Sequence, residues 1–280
     1  MKRMHAALGA LFAASLIPGL AHANPGALEI NQDCVAVGCF AGDAPGFPVT
    51  IAQPGTYLLT SDLAPPGDSS INSIEVGVSG VDLDLNGHTV DGGATCSGNP
   101  VTTCANFAGS RGIVLQSPIN AAIVAHVHNG SVRGFGNGGL VMFAASDGTL
   151  FDHLTVTENS FGMLLVGSSP NATTRIRDSQ FVRNLFDGAT TANAGARLLV
   201  ENSSFTGNSQ DGLALSTGSV AVGNRFNDNG ALGLQCGGST CALGQNTFMG
   251  NNGGGAAAQL NVGTLRDMGG NVCMDDGTCP

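Results

Sequence analysis

A recurrence at intervals of 21 to 27 residues constrains this chain more than any other feature. Six segments open with Gly and run into a short β-type stretch. They are Gly112-Ile113-Val114-Leu115, Gly139-Leu140-Val141-Met142, Gly162-Met163-Leu164-Leu165, Gly188-Ala189-Thr190-Thr191, Gly212-Leu213-Ala214-Leu215 and Gly233-Leu234-Gln235-Cys236. A second series runs in phase: Val132, Val156, Phe181, Phe205, Phe226 and Phe248. From Val156 onward an Asn follows three residues later, at 159, 184, 208, 229 and 251. Two or three residues before each anchor stands another turn-forming residue: Asn129, Asp178, Asn202, Asn224 or Asn246, with His153 in that place in the second repeat.

A fixed period of this length means a solenoid, in which each repeat buries its apolar face against the next. Leucine-rich repeats have a similar period but need Leu at several fixed sites and a recurring helix or extended arm, and neither is present. Short alternating runs punctuated by Gly and Asn read instead as three strands per coil joined by turns. Coils stacked at about 4.8 Å by parallel pairing would turn Phe181, Phe205, Phe226 and Phe248 into one aromatic column. Asn suits tight corners because it tolerates left-handed backbone, and Gly serves corners that admit no Cβ. Stacked Asn amides can also hydrogen-bond along a column. The expected fold is all-β, a single-stranded parallel β-helix of eight or nine coils.

The repeat, the segment Val81-Asp82-Leu83-Asp84-Leu85-Asn86-Gly87-His88-Thr89-Val90 and the stretch from Val127 to Asn137 together resemble the right-handed parallel β-helix superfamily typified by pectate lyases. The resemblance covers about residues 51 to 265. It implies a right-handed solenoid, in keeping with the handedness of parallel crossovers. It leaves the activity open, since such folds carry many.

The ends divide as follows. Lys2 and Arg3, an apolar run from Ala6 to Leu20 and the small-x-small site Ala21-His22-Ala23 read as an export signal over residues 1–23, of bacterial type. That places the protein in the periplasm or outside the cell, and nothing later in the sequence could span a membrane. Residues 24–50 read as an N-terminal cap, 51–268 as the β-helix and 269–280 as a C-terminal cap. Residues 91–111 read as a lateral loop. Eight cysteines fall into four close pairs, Cys34/Cys39, Cys96/Cys104, Cys236/Cys241 and Cys273/Cys279, expected as local disulfides of an exported chain rather than a zinc site. Beyond the signal there is no Lys, so eight Arg face twenty acidic residues. A broad basic face for nucleic acid is thereby excluded. Oligomeric state is not legible.

Aligning coils on the Val/Phe anchor puts His128, Asp152, Arg177 and Glu201 four positions before it, one above another on an outer face. His126, His153 and Arg133 lie near. His128, Asp152, Arg177 and Arg133 are the catalytic candidates, with His and Asp as acid–base groups and Arg for a substrate carboxylate. Glu201, His126 and His153 are substrate-binding candidates. The competing reading is a solvated ion-pair ladder without function. Asp82 and Asp84, with Glu75 expected one coil earlier, could hold calcium; no other cofactor is called for. Calcium-assisted lyases of the resembling family use an Arg base, for which Arg111 or Arg133 would serve. Other family chemistries are missing: a Lys base, the polygalacturonase segments, and the Asp-Pro-His of mannuronan epimerases, since Asp152-His153 lacks the Pro. With no Trp and only Tyr57, stacking platforms for sugars are scarce. The expectation is a protein that binds or processes a polysaccharide along a lateral face, leaning away from an enzyme. The alternatives are a noncatalytic structural or adhesive rod and a calcium-assisted polysaccharide lyase.

Overall fold

The computed structural model describes residues 26–66, 70–118, 121–143, 146–167, 172–192, 195–254 and 258–274. The export signal and Cys279 fall outside them. Within them the chain winds into a right-handed parallel β-solenoid of about nine turns, with one four-residue helix, Gln32–Val35, near its start.

Three sheets run the length of the coil. The first stacks Val49–Ile51, Ile74–Val76, Ile113–Leu115, Leu140–Met142, Met163–Leu165, Ala189–Thr191 and Leu213–Ala214, then the starts of Leu234–Gly244 and Leu260–Asp267. The second stacks Ala27–Ile30, Gly55–Leu59, Val81–Asp84, the starts of Ala125–Arg133 and Leu150–Thr157, Thr173–Arg177, Arg197–Glu201 and Val220–Val222. The third stacks Thr89–Asp91, the ends of Ala125–Arg133 and Leu150–Thr157, Gln180–Val182, Ser204–Thr206, Arg225–Asn227, Thr247–Met249 and Val272–Cys273. Pairing therefore continues to Cys273.

Side-chain alternation decides what is inside. Val90, Val132, Val156, Phe181, Phe205, Phe226 and Phe248 share one fully buried column. The four Phe rings stack with centroids 5.1, 5.2 and 4.9 Å apart. Burying each such ring contributes about 1.5–3 kcal/mol, and the stacking adds to this.

The corners flanking the third sheet use a left-handed residue, and from Asp178 onward the residue after it is an inward polar one, such as Ser179, Asn184, Ser203 or Asn224. Entering that sheet, the left-handed residues are Asn86, Asn129, His153, Asp178, Asn202, Gly223 and Gln245, with φ from 48° to 70°. Leaving it, they include Glu158, Arg183 and Asp228. The inward residues after the second corner form the amide ladder Asn159, Asn184, Asn208, Asn229 and Asn251, closed by Gln259. From Asn184 to Asn251 each Oδ1 accepts the backbone N–H and the side-chain N–H of the Asn one coil back, as Asn208 does from Asn184 at 3.0 and 2.9 Å, whereas Asn159 Oδ1 accepts from Phe135 N. The ladder satisfies backbone groups that no water reaches.

One grouping made on sequence is corrected here. Asn224 and Asn246 are not corner residues like Asn129 and Asp178. They sit one position later, inside, in a ladder with Ser203 and Asn271. Gly223 and Gln245 take the corner in those coils. The confusion arises because one Asn amide serves both purposes, tolerating left-handed backbone and bridging buried backbone groups.

Among the described residues, disulfides join Cys34–Cys39, Cys96–Cys104 and Cys236–Cys241. The lateral loop is an antiparallel hairpin, Thr95–Gly98 with Val101–Ala105. Arg183 donates to the carbonyls of Gly98 at 2.6 Å and Cys96 at 2.7 Å, so the hairpin lies against the corner that leaves the third sheet. Among the described residues no helix is long and apolar enough to cross a membrane.

Candidate functional site

The outer face of the second sheet gathers the titratable side chains. Val81, Leu83, Ala125, Val127, Phe151, Ile176 and Val200 point into the core, so their strand neighbours point out. Two outward rows result. One runs Asp82, His126, Leu150, Arg175, Leu199; the other runs Asp84, His128, Asp152, Arg177, Glu201. His128, Asp152, Arg177 and Glu201 thus occupy successive rungs, and His126 and His153 adjoin them.

Asp152 is the centre of this face. It is buried, and Arg177 grips it with Nη2 at 2.7 Å and Nε at 3.4 Å. His153 Nδ1 lies 2.7 Å from its other side. Burial pushes the Asp152 carboxyl up, but the Arg177 hydrogen bond and the charges of His153, Arg177 and His126 outweigh this and hold it below the usual carboxylate range. Arg177 in turn is raised, first by that hydrogen bond, and its Nε also reaches Asp178 at 3.3 Å. The guanidinium is thereby committed to two carboxylates of the protein. His153 occupies a corner position with φ 50° that other coils fill with Asn, Asp, Gly or Gln. The corner turns its side chain outward, where it is 64% exposed.

Toward the start of the solenoid the same face carries two histidines. His126 and His128, alternate residues of one strand, stack their rings at 4.1 Å. Asp82 Oδ1 lies 3.1 Å from His126 Nδ1 and 3.2 Å from His128 Nε2.

Two sequence candidates are not brought here. Arg133 points out from the third sheet, against Glu158 at 3.2 Å and Asp91 at 3.7 Å. Glu75 is corrected: it lies in the same coil as Asp82, not one coil earlier, and on the first sheet, between Thr50 and Val114. Its carboxylate accepts from Asn72 Nδ2 at 2.7 Å. Asp84 points to the shared face but accepts from Asn86 N and Asn129 Nδ2. The set Asp82, Asp84 and Glu75 therefore does not form the oxygen cage that calcium needs. Arg111, offered as a lyase base, packs over the Phe143 ring at 5.4 Å. Sequence reasoning missed Asp178 as a partner of Arg177 and missed Asp82 as the partner of both histidines. The matching x-alternation of Asp82/Asp84 and His126/His128 was the available signal.

The family described as right handed beta helix region matches residues 111–264. No curated protein sequence matches. Among solved structures, the A-module of the Azotobacter vinelandii mannuronan C-5 epimerase AlgE4 is similar, with a TM-score of 0.50 at 14% identity over 90% of this chain and 82% of that one. The periplasmic alginate epimerase AlgG aligns with a TM-score of 0.45 at 14% identity, over 80% of this chain and 69% of its own. At such identity the likeness concerns the fold. The family match spans more than half of the sequence and agrees with the stacked register of the coils, so this chain belongs to the right handed beta helix family.

Proposed function

We propose that this chain acts on a polysaccharide laid across the coils of the second sheet, with His153 as its proton-transferring group. The observation that carries the reading is the 2.7 Å contact between His153 Nδ1 and Asp152 Oδ1 on an otherwise open face. A carboxylate behind one imidazole nitrogen fixes the tautomer and leaves Nε2 to take or give a proton. Arg177 locks that carboxylate in place from the other side. An open row of polar rungs, one per coil, suits a linear polymer better than a small molecule, and the fold neighbour named above is an epimerase of mannuronan. On this face the carboxylates of Asp82, Asp84, Asp152, Asp178 and Glu201 outnumber the guanidinium groups of Arg175 and Arg177, and Arg177 is already engaged by Asp152 and Asp178. The preferred glycan is therefore one of low negative charge. The disulfides among the described residues support action in an oxidising compartment, outside the cytoplasm.

The test is a panel of neutral and charged polysaccharides, scored for binding and for altered products by NMR and reducing-end assay. The expected result is binding with turnover, and a His153→Ala protein that still binds but turns over about 10²–10⁴-fold more slowly. Binding and turnover that His153→Ala leaves intact would remove the reading. Silence across the panel would make the solenoid a structural rod.

A further inference from the structure

We infer that Asp82, His126 and His128 form a binding site for a divalent transition cation of the zinc type. The inference makes no use of the polysaccharide reading and is tested without any glycan.

The three donors are assembled by the solenoid itself. His126 and His128 are alternate residues of the strand Ala125–Arg133, so both leave the same face. Asp82 is the rung before His126, paired with it in register. Asp82 Oδ1 stands 3.1 and 3.2 Å from the two imidazole nitrogens, and all three atoms fall within 4.8 Å of one another. Ligands bonded at about 2.0–2.1 Å to one tetrahedral ion are roughly 3.3 Å apart, so the two separations from Asp82 Oδ1 already match a coordination sphere. The rings are stacked, 18° from parallel, and binding turns one of them so that both lone pairs converge.

The far nitrogens supply a second, independent observation. His128 Nδ1 faces Asp84 Oδ1 at 3.8 Å, and His126 Nε2 faces Asp152 Oδ2 at 3.7 Å. A carboxylate behind each metal-binding imidazole is the usual support of such ligands, setting the tautomer and ring orientation. In addition, His126 Nε2 and His128 Nε2 are both shielded from solvent without an aligned hydrogen-bond partner. Shielded polar atoms of that kind need a reason, and an ion that draws the rings into alignment supplies one.

The donor chemistry selects the ion. Two imidazoles and one carboxylate suit zinc, copper or nickel, whereas calcium takes oxygen ligands. A second grouping, Asp152 with His153 and Asp178, is a poorer candidate, because Arg177 already places its positive charge between the two carboxylates. Three protein ligands would leave a coordination position open to water or substrate.

The test uses tag-free protein dialysed against chelator and titrated calorimetrically with Zn²⁺ and, separately, Ca²⁺, with Co²⁺ absorption as a probe of geometry. The expected result is one Zn²⁺ per chain, micromolar or tighter, and a visible Co²⁺ band displaced by Zn²⁺. His126→Ala and His128→Ala should each weaken Zn²⁺ by roughly 100-fold, and Asp84→Asn by about 10-fold. His88→Ala, whose imidazole meets Asp62 instead, should bind as the parent does. Circular dichroism confirms that the variants keep the solenoid. The inference is overturned by an absence of saturable Zn²⁺ binding, by unchanged affinity in the His126/His128 double variant, or by tighter binding of Ca²⁺ than of Zn²⁺.

Discussion

At the scale of single residues, the interior carries two carboxylates that the outer face does not use. Asp187 and Asp211 lie on successive coils, each just before a Gly of the recurrent column. Asp187 Oδ1 accepts from Asp211 N at 3.1 Å, and Asp211 Oδ1 from Leu232 N at 2.9 Å. Burial, and then the charge of Asp211, push Asp187 up to about 6; burial raises Asp211 as well. The folded protein therefore holds the Asp187 proton more tightly than the unfolded chain does. Its contribution to stability is fully present below about pH 4 and is lost as the pH rises through about 6. A shift of about two units corresponds to at most roughly 3 kcal/mol. Asp187→Asn keeps an oxygen acceptor and removes the charge. The variant should be more stable than the parent at pH 7.5 and no more stable at pH 4, as urea unfolding at several pH values would read. A gap of equal size at every pH would show that charge is not its source.

At the scale of elements, the Gly column is set by distance and not by backbone freedom. Gly188 has no positive φ, yet a Cβ there would lie 2.5 Å from the Gly212 carbonyl oxygen and 2.9 Å from the Phe205 ring. Gly87 is the reverse case, with φ 78° and open space around it. Gly188→Ala should therefore cost about 1–3 kcal/mol through crowding, and more where the coil cannot yield. Gly87→Ala should cost about 1–2 kcal/mol through the backbone alone. Denaturant midpoints of the two variants test this; a Gly188→Ala protein as stable as the parent would mean that the coils can separate freely there. The same contrast explains what the sequence made legible. The Phe column and the row His128, Asp152, Arg177, Glu201 could be read because each residue repeats once per coil. The partnership of Asp82 with His126 could not, because the hairpin at 95–105 interrupts the period between those two coils. Arg133 was misplaced because the corner at Asn129 turns the chain onto another sheet between His128 and Arg133. Glu75 was misplaced because a strand-length count cannot tell a step along one coil from a step to the next.

For the whole molecule, the governing fact is that a solenoid coil touches only its neighbours, so stability is close to a sum of coil and interface terms. The hairpin is an exception: its bonds to Arg183 join residues 85 and 87 positions apart and tie an early loop to the central coils. Phe205 sits in those central coils, with rings at 5.1 and 5.2 Å on its two sides. Phe248 has a ring on one side only, Phe226 at 4.9 Å, and pairs with Cys273 on the other. Truncating either to Ala removes a fully buried ring and costs about 3–5 kcal/mol at its own site. The consequence should differ with position. Phe205→Ala weakens an interface that both halves of the stack share, and should lower the main thermal transition. Phe248→Ala can be relieved by opening the last coils alone, at the expense of two interfaces. Hydrogen exchange followed by mass spectrometry separates the cases. In Phe248→Ala, amides from about residue 234 to 273 should lose protection while those of 125–206 keep it, and the main transition should stay near that of the parent. Uniform loss of protection along the chain would show instead that the coils fold as a single unit, with coupling that reaches well beyond the adjacent rung.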